Sequence, residues 1–147
     1  MQQYVSTKIV NGMPMTRQEY IDLRGWTLPE NENGADEGYL VEYRDGGQPN
    51  TNSHKGYISW SPKDVFERAS LPLGNIEGLA PHHQRMLAER AQLCDRITKL
   101  NSFIGTNQFL DLEPIEQTRL QSQLDGMTYY RRELDERLYA LKNPPAC

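Results

Sequence analysis

The amino-acid sequence predicts an α+β fold: a small antiparallel β-sheet with short helices, followed by a C-terminal antiparallel helical hairpin. Two patterns carry this expectation. In GYLVEYR, residues 38–44, Tyr39, Val41 and Tyr43 alternate with Leu40, Glu42 and Arg44, the period of a strand with two unlike faces. From Met86 onward apolar residues recur every three or four positions instead, the period of one helix face. Between the two patterns LPLGNIEGLAPHH gathers Pro72, Gly74, Gly78 and Pro81, the composition of a linker. The expected organisation is a small α+β domain at 1–70, a linker at 71–81, the helical hairpin at 82–142 and a tail at 143–147.

Each element of the first domain has a local cause. YVSTKIV at 4–10 is rich in β-branched residues and reads as a strand, with Asn11-Gly12 as the turn that ends it. MTRQEYIDLRG follows as a helix, in which Thr16 is the expected N-cap, Glu19 completes a capping box and Gly25 is the stop. After the strand at 38–44, DGGQPNTNSHKG is a long polar hairpin loop and GYISW the returning strand. In GYISWSPKDVFERAS, at 56–70, Ser61 is the expected cap of a second helix, with Pro62 at its first helical position and Asp64 completing a second box.

The hairpin rests on two stripes. Met86, Arg90, Leu93, Ile97, Leu100 and Ile104 form one, and Leu120, Leu124, Met127, Arg131, Leu134, Leu138 and Leu141 the other. Folding them antiparallel about GTNQFLDLEP pairs Leu100 with Leu120, Ile97 with Leu124 and Leu93 with Met127, with Phe109 and Leu112 tucked under the turn. Arg90 then meets Arg131. Two facing guanidiniums lose hydration and repel, so something must answer them. They either reach water or a carboxylate such as Glu89, Glu133 or Asp135, or they hold an anion, for which a guanidinium pair is a good fork.

Composition narrows the function. A chain of 147 residues with a formal charge of −4 has only a modest core and no general cationic field, which predicts self-association and argues against nucleic acid or anionic membrane as partner. MQQYVSTKIV lacks the pattern of a signal peptide and no apolar run approaches the length of a membrane span, so a cytoplasmic protein is expected. Cys94 and Cys147 are expected to be reduced there. With His54, His82 and His83 the only histidines, no metal set and no cofactor motif is apparent, and none is expected. Asp64, Glu67 and Glu42 are available as general acids or bases, but carboxylates so spaced usually cap or solvate a helix, and the chain is not expected to be an enzyme.

The candidate ligand-binding residues are Arg24, Trp26, Tyr39, Tyr43, Trp60, Asp64, Arg90 and Arg131. Tryptophan and tyrosine faces stack on nucleobases, while arginine and helix N-terminal amides hold phosphates. If the strands from 38 and 56 pair, Trp26, Tyr39, Tyr43 and Trp60 are expected to converge near one edge of the sheet, with Lys8 and Arg17 adding charge. Asp64 would orient a ribose or base. The alternative is that these aromatics fill a small core.

TKIV, PMTRQEY, RGW, DEGYLVEY and GYISWSPKDVFERA together resemble a family of small accessory proteins of tailed bacteriophages named from podovirus genes, over residues 6–70. HHQRMLAERAQLCDRITKLNSFIGT through LQSQLDGMTYYRRELDERL is similar to a small helical protein family of crAss-like phages. Arg24-Gly25-Trp26 and Trp60-Ser61-Pro62-Lys63-Asp64 resemble, more remotely, the phage Thoeris anti-defence sponges, with proline and serine reversed and Ala69-Ser70 in place of a tryptophan. The last resemblance implies a phage counter-defence protein, acting in the cytoplasm of the infected bacterium. It would bind and sequester a cyclic nucleotide or ADP-ribose-derived immune signal between protomers of a homo-oligomer, without cleaving it. A phage inhibitor or adaptor that engages a host defence or regulatory protein is the competing expectation, with the hairpin's open stripe as its contact surface.

Overall fold

The computed structural model describes residues 1–139. The fold is the mixed α+β arrangement expected, with a three-stranded antiparallel sheet, short helices and C-terminal helices. The chain divides into two compact units that meet in sequence at Ser70 and Leu71.

The first unit contains β1 (Asn11–Pro14), α1 (Arg17–Arg24), β2 (Gly38–Tyr43), β3 (Tyr57–Pro62) and α2 (Lys63–Ala69). The strands lie in the order β1-β2-β3. β1 falls later than the β-branched run at 4–10, and Asn11-Gly12 lies in the strand rather than in a turn. Long-range contacts place it. Asn11 stands opposite Glu42 and donates from Nδ2 to its carboxylate at 3.0 Å. Gly12 leaves room for the Phe66 ring, whose Cζ would lie 2.6 Å from an added Cβ.

α1 starts and stops as its sequence dictates. Thr16 and Glu19 form the reciprocal capping box, and Gly25 adopts φ 65°, a left-handed conformation that costs other residues more. The amide of Trp26 then donates back to the Ile21 carbonyl at 3.0 Å, closing the helix. α2 starts one residue later than expected. Ser61 is held in β3 opposite Tyr39, so Pro62 occupies the cap position, no side chain caps the helix, and the Lys63 amide donates to the Glu37 carbonyl.

Helices cover both faces of this sheet. Tyr20 from α1 packs with Leu40 and Ile58 on one face, with Met15 and Trp60 beside them. Phe66 from α2 stacks on Tyr39 on the other. Leu40 and Val41, adjacent in sequence and therefore on opposite faces, are each only 3% exposed. The loop after β2 returns under the control of two side chains. Asn50 brackets Ile58 by accepting from its amide and donating to its carbonyl, each at 2.8 Å, and Glu42 accepts from the amides of Lys55 and Gly56, each at 3.0 Å.

The second unit is an antiparallel pair of long helices, α3 (Pro81–Ile104) and α5 (Pro114–Leu138), joined through the single turn α4 (Asn107–Leu110). Thr106 caps α4, and Phe109 is buried beneath it, edge-on to Phe103. Met86, Leu87, Leu93, Leu134 and Leu138 form the core, with Ile97 and Met127 packed against it. Ile76 and Leu79 also pack there, so part of the segment expected to act as a linker belongs to the helical core. Leu141, the end of the hairpin and the tail at 143–147 lie outside the described residues. Cys94 is disulfide-bonded rather than reduced, so the expectation drawn from a reducing compartment does not hold for it; Cys147 lies outside the described residues. No helix among the described residues is long and apolar enough to cross a membrane.

Candidate functional site

The aromatic residues of the first unit do not converge. In the β2–β3 register Trp60 stands opposite Leu40, whereas Tyr39 and Tyr43 stand opposite Ser61 and Tyr57. Directly opposed residues share a face and neighbours along a strand alternate, so Trp60 lies on the α1 face and both tyrosines on the α2 face. Trp60 is half-buried there. Its indole Nε1 donates to the Met15 carbonyl at 2.9 Å, and the Arg17 guanidinium lies 4.3 Å from its ring. Arg17 in turn pairs with Glu32 at 2.8 Å and Asp36 at 3.3 Å.

Arg24 and Trp26 sit together at the other end of α1. The Arg24 guanidinium lies 4.3 Å from the Trp26 ring centroid and donates to the Tyr20 hydroxyl at 3.3 Å. Trp26 is 54% exposed, with Tyr20 against its edge. On the α2 face Tyr39 donates to Glu67 at 2.9 Å, which raises the phenol's pKa because ionisation would give up that hydrogen bond. Lys8 lies 5.7 Å from the Tyr43 ring and pairs with Asp45 at 3.3 Å. Asp64 pairs with Arg68 one helical turn away, at 3.4 Å on the surface, instead of completing a capping box. Glu42 is held below the usual carboxylate range, first by Asn11 and then by the amides of Gly56 and Lys55, against the opposing effect of desolvation.

The arginine pair of the hairpin does come together, about a shared carboxylate. Arg90, buried on α3, donates from Nε to Asp135 Oδ1. Arg131 Nε lies 3.8 Å from Asp135 Oδ2, inside ion-pair range but too far for a hydrogen bond. That Nε is sealed from solvent and has no hydrogen-bond partner among the described residues. Asp135 was one of three carboxylates the sequence offered as an answer. Of the other two, Glu89 accepts from the Tyr130 hydroxyl across the helix pair, raising the tyrosine's pKa, and Glu133 lies 3.7 Å from Arg132.

Beside this cluster a groove of about 380 Å³ runs along α5, lined by Leu124, Asp125, Thr128, Tyr129, Arg131 and Arg132. The Arg132 guanidinium lies 4.8 Å from the Tyr129 ring. Of these residues the sequence marks Arg131 as a binding candidate and Leu124 as part of the apolar stripe. The signal for the others is their spacing: 125, 128, 129 and 132 step by three and four and fall on one side of the helix next to the apolar stripe.

A family model described as Sequestin matches residues 80–140, the span of the long helices and their connection. No curated protein and no solved structure matches the chain. The family likeness therefore falls on the unit that carries the Arg90–Asp135–Arg131 cluster and the α5 groove, and the phage resemblance of residues 6–70 rests on the motifs quoted above.

Proposed function

We propose that the protein binds a small nucleotide-derived signal, a cyclic nucleotide or an ADP-ribose derivative, and withholds it from its receptor without cleaving it. The observation that carries this is the match of residues 80–140 to a family whose name denotes sequestration. The helical unit also carries residues of suitable chemistry, with Asp125, Thr128, Arg131 and Arg132 along one groove. Binding without turnover is favoured by the state of the carboxylates that could serve as acid or base. Asp64 pairs with Arg68, Glu67 accepts from Tyr39, and Glu42 is saturated by Asn11, Lys55 and Gly56.

A phage origin and a counter-defence role are the biological setting proposed for this activity, and the infected bacterium's cytoplasm its place. Self-association is part of the proposal. Ile97, Leu100, Leu120, Leu124 and Met127 are only half-buried, so one hairpin leaves apolar stripe for another copy to cover. The second reading, a module that engages a protein, draws on Leu110 and Ile115, which are 66% and 60% exposed beside the hairpin turn.

Thermal melting of the full chain with a panel of cyclic di- and trinucleotides and cyclic ADP-ribose isomers separates the two. At least one member is expected to raise the melting temperature in a concentration-dependent way. A panel in which every compound leaves the melting curve unmoved rejects sequestration of this ligand class and favours the protein-binding reading.

A further inference from the structure

We propose that residues 4–10 pair, strand to strand, with the same residues of a second copy of the chain, so that two sheet units join along their β1 edges into one continuous sheet. The interface is separate from the hairpin stripe and independent of the sequestration reading.

The two edges of the sheet differ. β3 is obstructed: Asn50, from the loop before it, holds both the amide and the carbonyl of Ile58, each at 2.8 Å, and Pro62 at the end of the strand has no N–H to give. β1 has no such cover. Its four residues are exposed, and among the described residues the main chain of 1–14 makes no hydrogen bond outside the pairing with β2. The run that leads into β1, YVSTKIV, has the composition of a strand yet lies outside every strand of its own unit. Tyr4 and Val5 are 85% and 88% exposed at its start. A free lysine would guard such an edge, but Lys8, the one charge in the run, is paired with Asp45 of its own chain at 3.3 Å.

The order of residues says what covers this edge. From 4 to 10 the run reads apolar, apolar, polar, polar, polar, apolar, apolar, and is therefore symmetric about Thr7. Two identical strands paired antiparallel are related by a two-fold axis, so each position faces its mirror position. Centred on Thr7, the pair sets Tyr4 of one copy against Val10 of the other, Val5 against Ile9, Ser6 against Lys8 and Thr7 against Thr7. Aromatic and β-branched side chains opposed in this way stabilise neighbouring strands. Moving the centre by one residue loses the match. A centre at Lys8 brings the two lysines face to face, and a centre at Ser6 sets Tyr4 against Lys8 and leaves Ile9 and Val10 facing Gln3 and Gln2. A self-complementary run of this kind specifies a second copy rather than an unrelated strand.

The test combines crosslinking with the mass of the full chain in solution. In this register the two Thr7 Cα atoms stand about 4.5–5.5 Å apart, within the range a disulfide spans, whereas the two Tyr4 residues are roughly 20 Å apart along the pair. Under mild oxidation T7C is expected to give a reducible covalent dimer well above the level of the parent, and Y4C is not. S6P puts a proline inside the pair but outside β1 and should at least halve the mass that light scattering gives for the parent at the same concentration. V5K, which sets a charge against Ile9, should raise the concentration needed for association. Neither residue lies in β1, so the circular dichroism of both variants should match the parent; should S6P fail to fold, T7C and V5K decide. A parent of monomer mass, T7C and Y4C that crosslink alike, or a folded S6P with the mass of the parent overturns the interface.

Discussion

Trp60 owes its position to contacts within its own unit. Its indole is hydrogen-bonded to Met15, flanked by Arg17 and laid against Gly38, where an added Cβ would sit 2.4 Å from the ring and 2.5 Å from the Ser61 carbonyl. Trp60→Ala is expected to destabilise the first unit by about 2–4 kcal/mol, toward the lower part of the large-to-small range because the ring is only half-buried. Gly38→Ala should destabilise the same unit by forcing the indole or the strand to shift. Urea unfolding followed by circular dichroism checks both. Ligand affinity lost in Trp60→Ala with its stability unchanged would contradict the structural role. At Glu42 the measurable consequence is pH dependence. Its folded pKa is lowered, so its contribution to stability is complete above the ordinary carboxylate range and is lost as pH falls through the depressed value. Glu42→Gln should flatten the acid limb of the stability profile of the first unit; an unchanged limb would show that Asn11, Lys55 and Gly56 do not hold this carboxylate. In the hairpin, Asp135→Ala leaves Arg90 and Arg131 without their shared carboxylate and is expected to cost about 1–3 kcal/mol, less than a fully buried pair because Asp135 is 34% exposed.

Elements fixed by neighbours in sequence were legible from sequence, and those placed by distant contacts were not. The capping box of Thr16 and Glu19 and the Gly25 stop span one short helix, so local chemistry suffices to define α1. Thr16→Ala should cost about 1 kcal/mol, read from the unfolding midpoint; no change would mean the box contributes nothing. The apolar stripes of α3 and α5 were legible for the same reason, and the antiparallel fold about a short connection put Arg90 and Arg131 near one carboxylate. β1 was misplaced because β-propensity favours residues 4–10, while the strand is set by Asn11 meeting Glu42 and Gly12 admitting Phe66. The face of Trp60 was illegible too. It depends on the β2–β3 register, which the long loop between them leaves open and which Asn50 from within that loop and Glu42 from β2 enforce. Ser61 was read as a cap because its sequence neighbourhood fits one, but strand pairing with Tyr39 retains it.

The whole chain joins an aromatic-rich sheet unit to a helical unit, and the Sequestin match falls on the second. The sheet unit uses its rings in separate places: Trp60 under α1, Tyr39 against Phe66, and Trp26 with Arg24 at the end of α1. The helical unit bears the Sequestin match, the shared carboxylate between two arginines and the α5 groove. If binding rests on phosphate contacts, affinity should fall as salt is raised from low to physiological ionic strength, because exposed guanidiniums such as Arg132, 61% exposed, are screened; salt-independent binding would point to apolar contacts instead. The distinction between sequestration and catalysis is a matter of ligand fate. The most direct measurement loads the protein with a panel compound that binds it, denatures the complex by heat and identifies what is released by mass spectrometry. Sequestration predicts the intact compound in proportion to the protein, unchanged after prolonged incubation. Appearance of cleaved or rearranged products, growing with time, would contradict it.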